Sequence, residues 1–176
     1  LDLGAVGKGY AGDRLAQLLR AREVTSALLN LGGNIQTVGS RPDGDPWQIG
    51  VKDPSTGQPM MVLSIRDQAV VTSGGYERYF QQDGRTYWHI MDPATGRPAE
   101  SGLRSVTIVG DDGLVCDGLS TALFVMGLER AAQFWAGSDD FEAIFVTDDG
   151  SVYLTPGLAD AFTLADGQSR EVTVLS

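Results

Sequence analysis

Histidine and cysteine are almost absent from this chain of 176 residues, which has one of each, His89 and Cys116. A lone cysteine forms no internal disulfide, and with no second Cys or His beside it Cys116 suggests no metal cluster, so the redox compartment stays open. Runs of Lys or Arg are also missing, and 13 basic residues against 23 acidic ones give a formal net charge of -10. Nucleic acid is therefore not expected as a partner, because a phosphate backbone needs clustered cations. An anionic nucleotide ligand would need a metal ion or locally placed basic groups. No apolar stretch approaches the roughly 20 residues of a membrane-spanning helix. The chain opens on Leu1 rather than Met and shows no signal peptide. The expectation is that an upstream portion is missing, through processing of an export signal, proteolysis or truncation, and no cytoplasmic residence is read from it.

What is present suits one sizeable core, either a single domain over residues 1–176 or the C-terminal portion of a longer protein. Tyr10 to Arg22 places Leu15, Leu18 and Leu19 at helical spacing and predicts an amphipathic helix. Ser26 to Leu31 reads as a strand that breaks at Gly32-Gly33. Further strands are predicted at Trp47–Val51, Met61–Ile65, Ala69–Thr72, Tyr76–Phe80, Thr86–Ile90 and Ser105–Val109. Asp117–Met126 and Leu128–Trp135 read as helices, and Ala143–Thr147 with Val152–Leu154 as a hairpin around Asp148-Asp149-Gly150. Strands and helices in blocks, without regular alternation, predict an α+β fold with a mixed or antiparallel sheet and packed helices. Two strands run into Asp-Pro-x-Thr-Gly turns, at Asp53–Gly57 and Asp92–Gly96, where Asp caps, Pro presets φ and Gly accepts a positive φ.

Four junctions invite a ligand. Gly4-Ala5-Val6-Gly7-Lys8-Gly9 precedes a helix whose free amides and dipole favour an anion, with Lys8 as an added cation, although the spacing fits neither common nucleotide-binding loop. Asp117, Ser120 and Thr121 stand at i, i+3 and i+4, which offers three oxygen ligands to a hard cation such as Mg²⁺. From the residues alone the first reading of Asp117 at a helix start is an N-cap, ahead of a metal ligand. Thr72-Ser73-Gly74-Gly75 and Asn30-Leu31-Gly32-Gly33-Asn34 end strands in small residues that let a ligand approach the backbone, or simply make turns. His89 lies where a strand meets a turn, suited to proton transfer near neutral pH or to an orienting, half-buried role.

In this order the segments resemble the FAD:protein FMN transferase (ApbE) family. Asp2-Leu3-Gly4-Ala5 through Lys8-Gly9-Tyr10-Ala11 is similar to its opening motif, and Asn30-Leu31-Gly32-Gly33-Asn34 to its second. Thr72-Ser73-Gly74-x-Tyr76-Glu77-Arg78, His89-Ile90-Met91-Asp92-Pro93-x-Thr95-Gly96 and Asp117-Gly118-Leu119-Ser120-Thr121 complete the set. The resemblance covers nearly the whole chain but only the later part of the family's usual length. It implies that Asp2, Lys8 and Met91 contact FAD, and that the carbonyl of Ala5 ligates Mg²⁺ with Asp117, Ser120 and Thr121. It also makes His89 important for transfer, with a role as general base inferred from its chemistry. The implied reaction moves FMN from FAD to a threonine hydroxyl of a target flavoprotein and releases AMP. A Mg²⁺-dependent FAD pyrophosphatase and a non-catalytic flavin-binding module are the alternatives. The resemblance further implies an exported protein, lipid-anchored at the outer face of a bacterial cytoplasmic membrane.

Overall fold

The computed structural model describes residues 3–176, so Leu1 and the expected FAD contact Asp2 lie outside the described residues. Helix α1 (Gly7–Ala21) leads into strands β1 (Ser26–Leu31) and β2 (Asn34–Gly39), then β3 (Trp47–Lys52), β4 (Pro59–Ile65) and β5 (Ala69–Gly74). Two short ribbons follow, β6 (Tyr79–Gln82) with β7 (Arg85–Trp88) and β8 (Met91–Asp92) with β9 (Arg97–Pro98). Strand β10 (Leu103–Gly110) precedes helices α2 (Gly113–Met126) and α3 (Leu128–Ala136). The last elements are β11 (Phe141–Thr147), β12 (Val152–Leu154), a 3₁₀ turn at Pro156–Leu158, β13 (Phe162–Leu164) and β14 (Val172–Val174).

A seven-stranded sheet in the order β1-β2-β5-β10-β11-β12-β14 carries the fold; its neighbours are antiparallel except for the parallel pair β12 and β14. Alternate side chains leave opposite faces of a strand, and here both faces are covered. Ala69 and Val71 of β5, Val106 and Ile108 of β10, and Ala143 and Phe145 of β11 pack with Cys116, Leu123 and Phe124 of α2 and Ala131 of α3. Val70, Val109, Ile144 and Val146 point the other way and pack on Ile49, Val51, Met61 and Leu63 of the small antiparallel sheet β13-β4-β3. The observed architecture is thus the expected α+β fold, a mostly antiparallel mixed sheet with packed helices. Double coverage also explains why β10 and β11 are buried along nearly their whole length rather than at alternate residues.

Three expectations need correction. The helix predicted from Tyr10 begins at Gly7, and its buried residues are Gly9, Gly12 and Ala16, whereas Leu15 and Leu18 are exposed. Small residues face inward because α1 runs against backbone. A Cβ on Gly9 would sit 2.1 Å from the carbonyl oxygen of Gly113, a separation that admits only glycine. The second helix starts at Gly113, so Asp117 lies inside α2 and the cap is Asp112, which accepts the Val115 amide at 2.9 Å. The strand predicted at Tyr76–Phe80 starts only at Tyr79, after the chain turns at Gly75-Tyr76 and bends at Glu77-Arg78.

Both Asp-Pro-x-Thr-Gly segments close turns as expected. Asp53 Oδ1 accepts the Ser55 amide at 2.7 Å, and Asp92 Oδ1 accepts that of Ala94 at 2.9 Å. The two differ in burial. Asp53 is 1% exposed and pairs with Arg170, while Asp92 is only half-buried.

Candidate functional site

Strand β5 ends, α1 begins and α2 passes at the same end of the large sheet, and a cleft of about 400 Å³ opens between them. Gly4, Ala5 and Lys8 line it from the start of α1, and Thr72, Ser73 and Gly74 from the end of β5. Glu77 and Arg78 come from the loop that follows, His89, Ile90 and Met91 from the segment after β7, and Asp117 and Thr121 from α2. Of the site residues expected from sequence, the cleft gathers Ala5, Lys8, His89, Met91, Asp117 and Thr121. Ser120 does not line it: the side chain is fully buried and its hydroxyl donates to the Asp117 carbonyl at 2.9 Å. The Asn30–Asn34 segment also lies elsewhere. There Gly32 and Gly33 adopt positive φ between paired β1 and β2, and Asn30 Oδ1 accepts the Gly33 amide, a tight hairpin turn.

Asp117 is 4% exposed, and its Oδ2 accepts the Gly9 amide in the first turn of α1 at 2.8 Å. No side chain caps α1 from its own N-cap residue, Val6, so α2 supplies the acceptor across the helix pair. Burial raises the Asp117 pKa above its ordinary value, opposed by the Gly9 amide and by the nearby charge and amide of Lys8. Desolvation wins here because the carboxylate has left water while the Lys8 ammonium remains exposed. In return, Asp13 of α1 accepts the Gly113 and Leu114 amides at the start of α2, each at 2.8 Å. Each helix therefore caps the other, and the Gly9 main-chain amide holds the Asp117 carboxylate.

His89 follows the last residue of β7 and is exposed. Its main-chain amide donates to the Arg78 carbonyl at 3.2 Å, and its Nδ1 lies 3.3 Å from the same oxygen. A carbonyl only accepts, so this contact requires the proton on Nδ1 and leaves Nε2 as the basic nitrogen. Main chain on β6's approach thereby sets the tautomer of the one histidine.

Lys8 and Arg78 bring two positive charges to the cleft of a chain with net charge -10. Beside Asp117, Thr121 carries a further hard oxygen, and Ala5 lines the same cleft. No group of three or more His, Cys, Asp or Glu side chains converges among the described residues, so a cation here would draw on hydroxyl, main-chain and substrate oxygens besides Asp117. That donor set fits Mg²⁺, which takes one or two carboxylates and completes its shell with water and phosphate. Cys116, one residue before Asp117, takes no part: it is 1% exposed, and burial with nearby Asp112, Asp13 and Asp111 pushes its thiol pKa up to about 12.

A family model described as the ApbE family matches residues 1–145. The chain belongs to this family. It is 43% identical over 157 residues to an FAD:protein FMN transferase of Klebsiella pneumoniae, which covers 88% of this chain and 48% of the relative. With an FAD:protein FMN transferase of Treponema pallidum it shares 41% identity over 179 residues, 96% of this chain and 49% of the relative. Among solved structures, the ApbE protein of Thermotoga maritima superposes with a TM-score of 0.85 at 36% identity, over 92% of this chain and 53% of that one. The chain spans about half the length of the relatives it matches.

Within this ApbE-family cleft, sequence reasoning named the Thr72–Arg78 segment but gave none of its residues a role. Ser73 lines the cleft and lies 2.8 Å from the Ser120 hydroxyl and 3.0 Å from that of Thr121, which ties β5 to α2. Arg78 supplies the carbonyl that holds His89. The detectable signal was small hydroxyl and glycine residues ending an apolar strand; which hydroxyl meets which depends on the packing of α2 over β5.

Proposed function

We propose that this chain forms the reacting half of an FAD:protein FMN transferase, which moves FMN from FAD to a threonine hydroxyl of a target flavoprotein with release of AMP. The observation that carries the reading is the convergence of Lys8, His89, Asp117 and Thr121 in one cleft. They come from three separated segments of a chain similar to proteins named FAD:protein FMN transferase.

Phosphoryl transfer depends mainly on positioning and charge stabilisation. Lys8 and Arg78 offset the negative charge of the pyrophosphate, and the exposed side of Met91 offers an apolar surface to the flavin. Asp117, Thr121 and main chain at Ala5 would hold Mg²⁺, which when bound neutralises pyrophosphate oxygens and the departing phosphate. His89 Nε2 takes the proton of the threonine hydroxyl as its oxygen bonds to the FMN-side phosphorus. The bond from that phosphorus to the bridging oxygen breaks and AMP leaves with the electron pair. A well-placed general base contributes about 10²–10⁴-fold.

The test is incubation of the full-length protein with FAD, Mg²⁺ and a flavoprotein acceptor, read by mass spectrometry. An acceptor threonine gaining the mass of FMN less water, with one AMP per transfer, is the expected result. Release of free FMN and AMP without acceptor modification would instead identify a pyrophosphatase, and tight FAD binding without AMP a non-catalytic module.

A further inference from the structure

Three hydroxyls, Ser73, Ser120 and Thr121, meet where β5 passes under α2, and each has one hydrogen to donate. Their order follows from a single fixed point. Ser120 Oγ lies 2.9 Å from the Asp117 carbonyl, which only accepts, so Ser120 spends its hydrogen there. Towards Ser73, at 2.8 Å, Ser120 is then an acceptor, and Ser73 must donate. With its hydrogen committed, Ser73 is an acceptor towards Thr121 at 3.0 Å, and Thr121 must donate. The chain of donors runs Thr121 to Ser73 to Ser120 to the Asp117 carbonyl.

We propose that Ser73 is a positioning residue that draws the Thr121 hydrogen away from the cleft, so that Thr121 Oγ1 presents only lone pairs to a cation beside the Asp117 carboxylate. This rests on the Mg²⁺ reading above. A free hydroxyl rotor would have to turn its hydrogen out of the way each time a cation arrived; here main chain at Asp117 sets the orientation in advance, two hydroxyls away. The relay also gives buried Ser120 a role: it anchors the donor order rather than supplying a ligand.

Neutron diffraction from deuterium-exchanged crystals of the metal-free full-length protein reads the order directly. Deuterium on Thr121 Oγ1 directed at Ser73, and on Ser73 Oγ directed at Ser120, is expected; deuterium on Thr121 directed into the cleft overturns the proposal. In calorimetric Mg²⁺ titrations, Ser73→Ala and Ser73→Val weaken affinity by about tenfold, the low end for loss of an outer-shell partner. Ser73→Thr, which matches Val in shape and restores the hydroxyl, binds within about threefold of wild type on the same scale. Equal loss in the Thr and Val variants, or none in either Ala or Val, rejects the relay. A wild-type protein that takes up no Mg²⁺ rejects the Mg²⁺ reading instead, while the neutron result still decides the donor order.

Discussion

Asp117 Oδ2, on the second helix, accepts the main-chain amide of Gly9 on the first, at 2.8 Å. One carboxylate thus caps a helix and faces the cleft, and the two roles separate by pH. Burial raises the Asp117 pKa in the folded chain. As pH rises past the ordinary value near 3.8, the unfolded chain loses this proton first and the folded chain later. The folded state then binds more protons, so stability contributed at this position falls with rising pH from about 3.8 up to the raised folded value, beyond which the cost is constant. Asp117→Asn keeps an acceptor for Gly9 and never ionises. Denaturant unfolding in chelator from pH 3 to 7 is expected to show the Asn variant gaining on wild type as pH rises, with Mg²⁺ uptake lost at pH 7. A pH-independent difference would contradict the buried carboxylate.

Gly9 faces Gly113 so closely that its added Cβ would lie 2.1 Å from the Gly113 oxygen and 2.6 Å from its carbonyl carbon, whereas Gly7 has nothing within 4 Å. Backbone cannot rotate aside as a side chain does. Gly9→Ala is expected to destabilise by about 1–3 kcal/mol through overpacking. Gly7→Ala should be neutral or stabilising by up to about 1 kcal/mol, since alanine is the better helix former. Chemical denaturation of both variants measures the contrast, and equal midpoints would show that the helix pair is looser than described.

His89 is exposed and, among the described residues, hydrogen-bonds only to the Arg78 carbonyl, so replacing it removes little packing. His89→Gln in the full-length protein is expected to lower kcat for FMN transfer by about 10²–10⁴-fold. Its unfolding free energy should stay within about 0.5 kcal/mol of wild type, as for other surface changes. FAD affinity, read by fluorescence quenching, is expected to hold. A variant with full kcat would remove His89 from proton transfer.

Much of this was legible in the sequence because local chemistry wrote it. The Asp148–Gly150 turn, the two Asp-Pro-x-Thr-Gly turns and the helix at Leu128 each follow from residues within a few positions of one another. Strand β2 was not legible: Gln36 and Thr37 are buried polar residues, and they are strand only because β1 and β5 pair on either side. The buried face of α1 was misread because hydrophobic periodicity marks leucines, while close backbone approach selects Gly9, Gly12 and Ala16. At the site, residue types pointed to Asp117 and Thr121, but the burial of Ser120 and the meeting of Ser73 with both hydroxyls depend on strand and helix 47 residues apart.

Asp53 and Asp92 offer the last comparison, since they hold the same place in the same turn motif and differ only in surroundings. Asp53 is 1% exposed, accepts the Ser55 amide and pairs with Arg170, whose guanidinium also donates to the Gly150 carbonyl. The half-buried Asp92 side chain accepts the Ala94 amide and the Thr95 hydroxyl. Removing one partner of a buried pair strands the other charge, and Asp53→Ala is expected to cost about 3 kcal/mol, the low end for such pairs because Arg170 keeps some contact with water. Asp92→Ala loses exposed turn hydrogen bonds alone and should cost about 1 kcal/mol or less. Paired urea titrations measure the difference. Equal costs would mean that the turn, and not the tie between Asp53 and the C-terminal segment, carries the stabilisation.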